Sequence, residues 1–173
     1  MILNKIISGG QTGVDMAGLD AALELDIPTG GTAAWNFTQS VNYNHSISNK
    51  DLSTKYGLVE GQLTDRIGRN GMPYRDPYSK RTVANCREAD GTVWFGNQNS
   101  PGGKLTLKSS NHRGKARPLV NPQSAKELRD WIVENEIKIL NVAGNREFTN
   151  RGIYQRAKTM IIEALLIEDC SER

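Results

Sequence analysis

Three short apolar segments of this sequence lead into glycine-rich turns, at residues 8–15, 101–104 and 141–147. After each turn the apolar residues recur at helical spacing. Alternating strands and helices indicate a mostly parallel sheet with helices on both faces. The sequence therefore predicts an α/β fold, a Rossmann-like three-layer domain, in which ligands bind beyond the carboxyl ends of the strands.

The remaining periodicity is consistent with a single domain over residues 1–173. Strands are predicted at 5–8, 29–32, 91–95, 117–120 and 137–142, and helices at 14–25, 81–88, 105–112, from Ser124 onward and at 153–167. Ser124 and Glu127 form a capping-box pattern. Residues 33–78 are rich in Asn, Ser, Thr and Tyr. We predict that they form a polar insertion or lid, or contain short elements that the pattern does not reveal.

The composition argues against several classes of protein. No run approaches the ~18 apolar residues of a membrane span. With two cysteines and two histidines, neither a disulfide framework nor a protein-built metal site is expected. A net charge of +3 is too small to indicate a nucleic acid partner. We therefore expect a cytoplasmic protein without a membrane association.

The first glycine-rich turn joins a strand directly to a helix and is the strongest candidate for a binding site. Glycines allow close backbone approach, and a helix N-terminus offers free N–H groups and partial positive charge, which together suit phosphate. The alternative is a tight turn in which Asp15 interacts with the helix dipole. The pattern is neither GxGxxG nor a P-loop. The candidate residues are Gly9, Gly10, Gln11, Thr12, Gly13 and Asp15.

The second and third turns add weaker candidates. Gly102, Gly103 and Lys104 form either a ligand-facing turn or an ordinary flexible one. Arg146 is placed to form a fork onto phosphate or carboxylate, unless it pairs with neighbouring charges. Further candidates are aromatic groups for stacking, polar groups near the site and acids for proton transfer, namely Trp35, Tyr56, Glu60, Arg81, Asn85 and Glu147.

At these turns the sequence resembles the molybdenum cofactor carrier proteins, a circularly permuted branch of the SLOG superfamily. The most specific match is Ser8-Gly9-Gly10-Gln11-Thr12-Gly13-Val14-Asp15. Further matches, in order, are Leu19–Ala22, Tyr56–Glu60, Arg81-Thr82 with Asn85, Gly102-Gly103 with Leu105-Thr106, Leu140–Gly144 and Gly152–Tyr154. The sequence departs from the family pattern in two places. Lys104 stands where a threonine-like residue is expected after the double glycine, and residues 33–36 stand in place of a Gly-Trp-Cys-Pro type motif.

The resemblance implies a SLOG-type Rossmann-like fold, a nucleotide-derived ligand and self-association. It makes a carrier of a phosphorylated ligand, with the molybdenum cofactor as the named example, the leading hypothesis. Two alternatives are a phosphoribohydrolase-like enzyme and a nucleotide-sensing module. Such hydrolases use a glutamate just after a Pro-Gly-Gly turn, whereas residues 104–113 contain no Asp or Glu. A homo-oligomer is also expected from residues 153–167, which are apolar on more than one helical face.

Overall fold

The computed structural model describes residues 2–167. In chain order its strands and helices are β1 (Lys5–Ile7), α1 (Val14–Glu24), β2 (Thr29–Gly30), β3 (Thr32–Ala33), a short 3₁₀ helix (Trp35–Phe37), β4 (Thr38–Ser40), β5 (Ser46–Ser48), α2 (Asp51–Thr54), β6 (Val59–Glu60), β7 (Thr64–Ile67), β8 (Pro73–Asp76), α3 (Ser79–Glu88), β9 (Gly91–Phe95), α4 (Pro101–Ser110), β10 (Leu119–Val120), α5 (Ala125–Glu134), β11 (Ile139–Gly144) and α6 (Ile153–Leu166).

Five parallel strands form the central sheet, in the order β10-β9-β11-β1-β2. Leu140 of β11 pairs with Ile6 on one side and with Gly91 on the other. Helices α1, α5 and α6 pack together, while α3 and α4 pack with each other. Strand β11 contacts α1 as well as α3 and α4. These contacts confirm the predicted three-layer α/β fold.

The core explains why the strands are so apolar. All five residues of β9 are buried, as are Ile6, Leu140 and Val142 of the neighbouring strands. A strand that is covered by helices on both faces has no polar side, so it reads as a continuous apolar run. Helix α1 approaches β11 closely at Gly18, where an added Cβ would lie 2.6 Å from Cβ of Val142.

Residues 33–78 contain several short elements rather than one long loop. Strand β3 pairs in parallel with β6, and β4–β5 and β7–β8 form antiparallel pairs. A second apolar cluster attaches this segment to α1 through Leu19, Phe37, Leu52, Tyr56 and Leu58. The segment is therefore partly packed on the Rossmann-like core, which a polar composition alone does not reveal.

Helix α4 begins four residues earlier than predicted. Ser100 Oγ accepts the backbone N–H of Gly103 (3.1 Å), and Pro101 occupies the first helical position, where its missing N–H is tolerated. The cap at Ser124 is confirmed, since its hydroxyl accepts the N–H of Glu127 at 3.1 Å. Gly102 and Gly103 consequently lie in the first turn of a helix and not in a preceding loop.

Helix α6 buries its main apolar stripe against the core, and its other apolar residues are partly covered by neighbouring elements. Met160, Ile162 and Leu165 are partly buried, whereas Leu166 is 62% exposed. Self-association through this helix therefore stays a prediction, which light scattering would test. Among residues 2–167, no helix is both long and apolar enough to cross a membrane.

Candidate functional site

The turns that follow β1, β9 and β11 meet at the carboxyl edge of the sheet. Val14 donates its N–H to the carbonyl of Asn145 (3.2 Å), and Asn145 donates to the carbonyl of Phe95 (3.0 Å). Asn97 donates its N–H to Asn145 Oδ1 at 2.7 Å. Asn145 thus joins all three turns, and the edge is a rigid platform rather than three independent loops.

An ion pair between Arg81 and Asp15 lies directly on the first glycine-rich turn. Arg81 Nη1 donates to Asp15 Oδ2 at 3.0 Å, and the backbone N–H of Gln11 donates to the same oxygen at 3.1 Å. A Cβ on Gly9 would lie 1.4 Å from Arg81 Nη1, so only glycine leaves room for this guanidinium. Burial raises the pKa of Asp15, while Arg81 and the Gln11 N–H act in the opposite direction.

A second guanidinium, that of Arg146, lies beside this pair. It lies 4.9 Å from the ring centroid of Tyr78 and 6.0 Å from that of Phe148. Burial and the like charge of Arg81 lower its pKa, whereas Tyr78 and Asp15 act to raise it. Within residues 2–167 the Arg146 guanidinium has no hydrogen bond or ion pair to protein.

We call the group Gly9, Asp15, Tyr78, Arg81 and Arg146 the arginine site. It sets two guanidinium groups against one carboxylate, so the positive charge of Arg146 has no carboxylate partner and lies only against the rings of Tyr78 and Phe148. Arg81 Nε is also buried without a hydrogen-bond partner. Groups of this kind bind an anion that accepts several hydrogen bonds, such as phosphate.

Gln11 and Thr12 are occupied by the segment that covers the turn. The Gln11 amide donates to the carbonyl of Thr38 (2.6 Å) and accepts the N–H of Ser40 (3.1 Å). Thr12 Oγ1 donates to the Ser40 carbonyl at 3.0 Å, and Ser40 Oγ lies 3.0 Å from the hydroxyl of Tyr78. In this structure both predicted side chains hold β4 in place.

Gly10 and Gly13 have packing roles. Both have positive φ, and a Cβ on Gly10 would lie 2.9 Å from Leu52 Cδ2 and 3.0 Å from Leu58 Cδ2. A Cβ on Gly13 would lie 2.5 Å from the carbonyl oxygen of Asn145. Substituting either glycine would therefore strain the fold before it tested binding, which makes Gly9 the informative position.

The second predicted turn supplies the start of helix α4. The N–H groups of Gly103 and Lys104 donate to the hydroxyl and the carbonyl of Ser100, respectively. Gly102 is exposed, and a Cβ there would meet no atom nearer than 4.0 Å. The Lys104 side chain is exposed. Among residues 2–167, no hydrogen bond or ion pair joins these residues to the arginine site.

A cleft of about 490 Å³, lined by Trp35, Glu60 and Arg75 among others, borders the arginine site. Gly61 also lines it, and a Cβ on Gly61 would lie 3.3 Å from Cβ of Arg81. Trp35 is 45% exposed, so its ring is accessible to a ligand. Glu60 accepts the backbone N–H of Asn36 at 2.7 Å.

Three other candidate residues hold the fold together. Tyr56 is buried and donates its hydroxyl hydrogen to Asp20 (2.6 Å), so its ring cannot stack on a ligand at the arginine site. Asn85 bonds through its amide to the N–H (2.7 Å) and the carbonyl (3.0 Å) of Thr32. Glu147 accepts two backbone N–H groups at the start of α6 and so caps that helix.

Sequence reasoning missed Tyr78 and Ser40. Tyr78 precedes α3 and lies three residues before Arg81, so helical spacing could have grouped the two. Nothing local marks Ser40, which reaches the site through a strand pairing inside a weakly periodic segment. Within the described residues, no three His, Cys, Asp or Glu side chains lie close enough to hold a metal ion.

Comparisons with known proteins agree with this architecture. A model of the circularly permutated YpsA SLOG family matches residues 6–165. A solved structure from Syntrophus aciditrophicus SB, described as a "putative molybdenum carrier protein", is 30% identical and covers 96% of each chain, with a TM-score of 0.72. No curated protein matches the sequence significantly. The resemblance found in the glycine-rich turns is confirmed, and the chain belongs to the circularly permutated YpsA SLOG family.

Proposed function

We propose that this chain binds a phosphorylated, nucleotide-like small molecule at the arginine site and acts as its carrier. The observation that carries the proposal is the Arg146 guanidinium, which is partly buried beside a second arginine and has no hydrogen-bond partner among residues 2–167. Removing a guanidinium from water without a partner is unfavourable, and a bound phosphate restores the lost interactions.

The position of the phosphate follows from the charges. Arg81 has one Nη group on Asp15 and a free Nε, and Arg146 faces the same region from the turn after β11. Gly9 leaves the room that the Arg81 guanidinium occupies. We expect the phosphate to lie beside this turn, between the two guanidinium groups.

The cleft beside Arg81 suits the remainder of such a ligand. Its volume, about 490 Å³, falls in the ordinary range for small-molecule sites. The exposed Trp35 ring offers a stacking face, and Glu60 and Arg75 offer hydrogen-bonding groups at its edge. A planar heterocycle that is linked to a phosphate would fit this division of the site.

The molybdenum cofactor is the leading named cargo because of the family and its structural relative. The chain's residues fit the phosphate of such a cargo through Arg81 and Arg146. Among residues 2–167 no cluster of metal-ligating side chains is available for direct metal contact. We therefore expect the protein to contact the organic part of the cargo.

The positions and partners of the carboxylates near the site favour a carrier over a hydrolase. Asp15 is the carboxylate of the arginine site, and it is held by Arg81 and by the N–H of Gln11. Residues 104–113, which follow the double glycine, contain no Asp or Glu. No free carboxylate is therefore placed where the related hydrolases use one.

Calorimetric titration with AMP and adenosine tests the proposal. The wild-type protein should bind AMP and lose most of that affinity when the phosphate is removed. Arg146→Met, which keeps an unbranched apolar stem but removes the guanidinium and its charge, should weaken AMP binding about 10- to 100-fold, the value of charge-assisted hydrogen bonds. Arg113→Met, at an exposed arginine outside the site, is the matched control. Equal affinity for AMP and adenosine would refute the phosphate assignment.

A further inference from the structure

A second cavity, of about 650 Å³, opens between α1, α6 and the β4–β5 segment. Thr12 and Gly13 of the first glycine-rich turn line it, whereas no residue of the arginine site does. The cavity is next to the arginine site, because Phe148, which lines it, lies 6.0 Å from the Arg146 guanidinium, measured to the ring centroid. This cavity has no part in the proposed phosphate binding.

The walls of the cavity suit a flat ring. Met16, Val41 and Phe148 supply apolar surface, and the Tyr154 ring lies among them. Tyr43 packs edge-on against Phe148, with ring centroids 5.0 Å apart, which helps to hold Phe148 in place. Aromatic and thioether walls favour a planar aromatic molecule.

The polar end of the cavity is built around Asp20. Its two oxygens accept the hydroxyl hydrogens of Tyr56 (2.6 Å) and Tyr154 (2.8 Å). An ionised carboxylate has about four acceptor positions, so Asp20 can accept further hydrogen bonds. Burial and the hydrogen bond to Asp20 raise the pKa of Tyr154, so its phenol stays protonated at neutral pH.

The side-chain donors around the cavity are already used within the protein. Asn49 Nδ2 donates to Gln39 Oε1 (2.9 Å), Gln39 Nε2 donates to the carbonyl of Gly10 (2.5 Å), and Thr12 Oγ1 donates to the carbonyl of Ser40 (3.0 Å). Apart from Arg151, which is exposed, the side chains that line the cavity therefore offer acceptors to a ligand.

The charges around the cavity nearly balance. The carboxylates of Asp20 and Glu147 and the guanidinium of Arg151 line it, and Lys55 Nζ lies 4.0 Å from Asp20 Oδ1. The arginine site, in contrast, has two guanidinium groups and one carboxylate. The cavity therefore lacks the excess of positive charge that would select an anion, and its side-chain acceptors favour a ligand that donates hydrogen bonds.

We propose that this cavity is a second ligand site, which binds a planar aromatic molecule bearing an amine or amidine group that donates to Asp20. The ring lies between Met16 and Phe148, and the donor group faces the Asp20–Tyr154 pair. The ligand class is the opposite of that at the arginine site, because it is cationic or neutral and lacks a phosphate. The proposal does not depend on phosphate binding.

Three probes of nearly equal shape, benzamidine, benzamide and benzoate, test it by NMR titration of the full chain. Benzamidine should shift the resonances of Met16 and Tyr154 and bind about tenfold more tightly than benzamide, since a charged donor adds roughly 1.4 kcal/mol to the hydrogen bond with Asp20. Benzoate should not bind there. Binding of benzoate as tight as that of benzamidine would overturn the proposal, as would the absence of benzamidine shifts at these residues.

Two variants separate the ligand contacts from folding. Asp20→Asn should remove the preference for benzamidine over benzamide. Because Asp20 also holds Tyr56 and Tyr154, Val41→Trp provides a second test, in which the cavity is filled and Asp20 is kept. Arg113→Met, at an exposed arginine outside both sites, is the control and should bind benzamidine like the wild type. Unchanged benzamidine binding in Val41→Trp would refute the site, whereas the AMP titration of that variant reports separately on the arginine site.

Discussion

Replacing Gly9 with alanine should displace Arg81 from Asp15. An alanine Cβ would lie 1.4 Å from Nη1 and 2.4 Å from Cζ of Arg81, so the guanidinium cannot stay where it is. The φ angle of Gly9 lies outside the left-handed region, so alanine is compatible with the backbone. The substitution therefore acts through the side chain of a residue 72 positions away in the sequence (81 − 9).

The loss in free energy of unfolding depends on Asp15, the carboxylate that loses its arginine partner. The Asp15 side chain is 4% exposed and that of Arg81 is 13% exposed, so the ion pair is largely removed from water. Deleting one partner of a buried pair costs about 3–5 kcal/mol. Here Arg81 is moved rather than deleted, and Asp15 keeps the N–H of Gln11. We expect a loss of about 1–3 kcal/mol, or roughly 3–10 °C in Tm for a chain of this size.

Thermal and urea unfolding of Gly9→Ala and Gly102→Ala provide the comparison. Gly102 is exposed, lies in the first turn of α4 and would place its Cβ no nearer than 4.0 Å to another residue. Gly102→Ala should leave stability unchanged or raise it by up to about 1 kcal/mol, through helix propensity. AMP affinity should fall in Gly9→Ala only.

A double-mutant cycle identifies the mechanism. In an Arg81→Met background, the charge that Gly9 accommodates is absent, so adding Gly9→Ala should cost less than about 0.5 kcal/mol. If Gly9→Ala is equally destabilising with and without Arg81, its effect does not pass through the guanidinium, and the assigned role of Gly9 is wrong.

Three further substitutions test individual contacts of the fold. Burial acts to raise the pKa of Asp76, but hydrogen bonds, chiefly from Ser79, outweigh it and lower that pKa. Asp76→Asn should therefore lower the free energy of unfolding by about 1–3 kcal/mol at pH 7. This difference from the wild type should shrink as the pH falls below about 4, measured by urea unfolding at each pH. Ser100→Ala removes the cap of α4 and should lower stability by about 0.5–2 kcal/mol in the same assay; no loss would contradict the cap. Thr12→Val removes the hydrogen bond to Ser40 and should speed amide hydrogen exchange in β4, whereas unchanged exchange would show that β4 is held elsewhere.

Much of the fold could be predicted because its signals are local. Strand β9 was predicted with its observed bounds, Gly91–Phe95, since an apolar run between turn residues is typical of a buried strand. The cap at Ser124 is visible within four residues of sequence. The start of α4 was misplaced, because a double glycine inside a first helical turn contradicts helix propensity and is tolerated here through Pro101 and the Ser100 cap.

The candidate site was harder to predict, since its decisive contacts join distant residues. The glycine-rich turn was correctly placed at a strand end, but nothing in it indicates that Arg81 occupies the space above Gly9. Arg81 and Arg146 were candidates on separate segments, and their common relation to Asp15 exists only after the sheet has formed. The only sequence signal for Tyr78, whose ring contacts Arg146, is its helical spacing to Arg81.

The residues of the first glycine-rich turn mostly have structural roles, which leaves ligand contacts to other segments. Gly10 and Gly13 serve packing, and Gln11 and Thr12 hold β4, so most of this turn has a structural use in this chain. The groups free to meet a ligand come from other elements, namely Arg146 after β11 and Trp35 in the segment that departs from the resembled motif. We therefore propose that residues 33–36 select the ligand while the turn keeps its structural use. Under the proposed function, exchanging Trp35 should alter which heterocycle binds in the calorimetric titration, without removing the requirement for a phosphate.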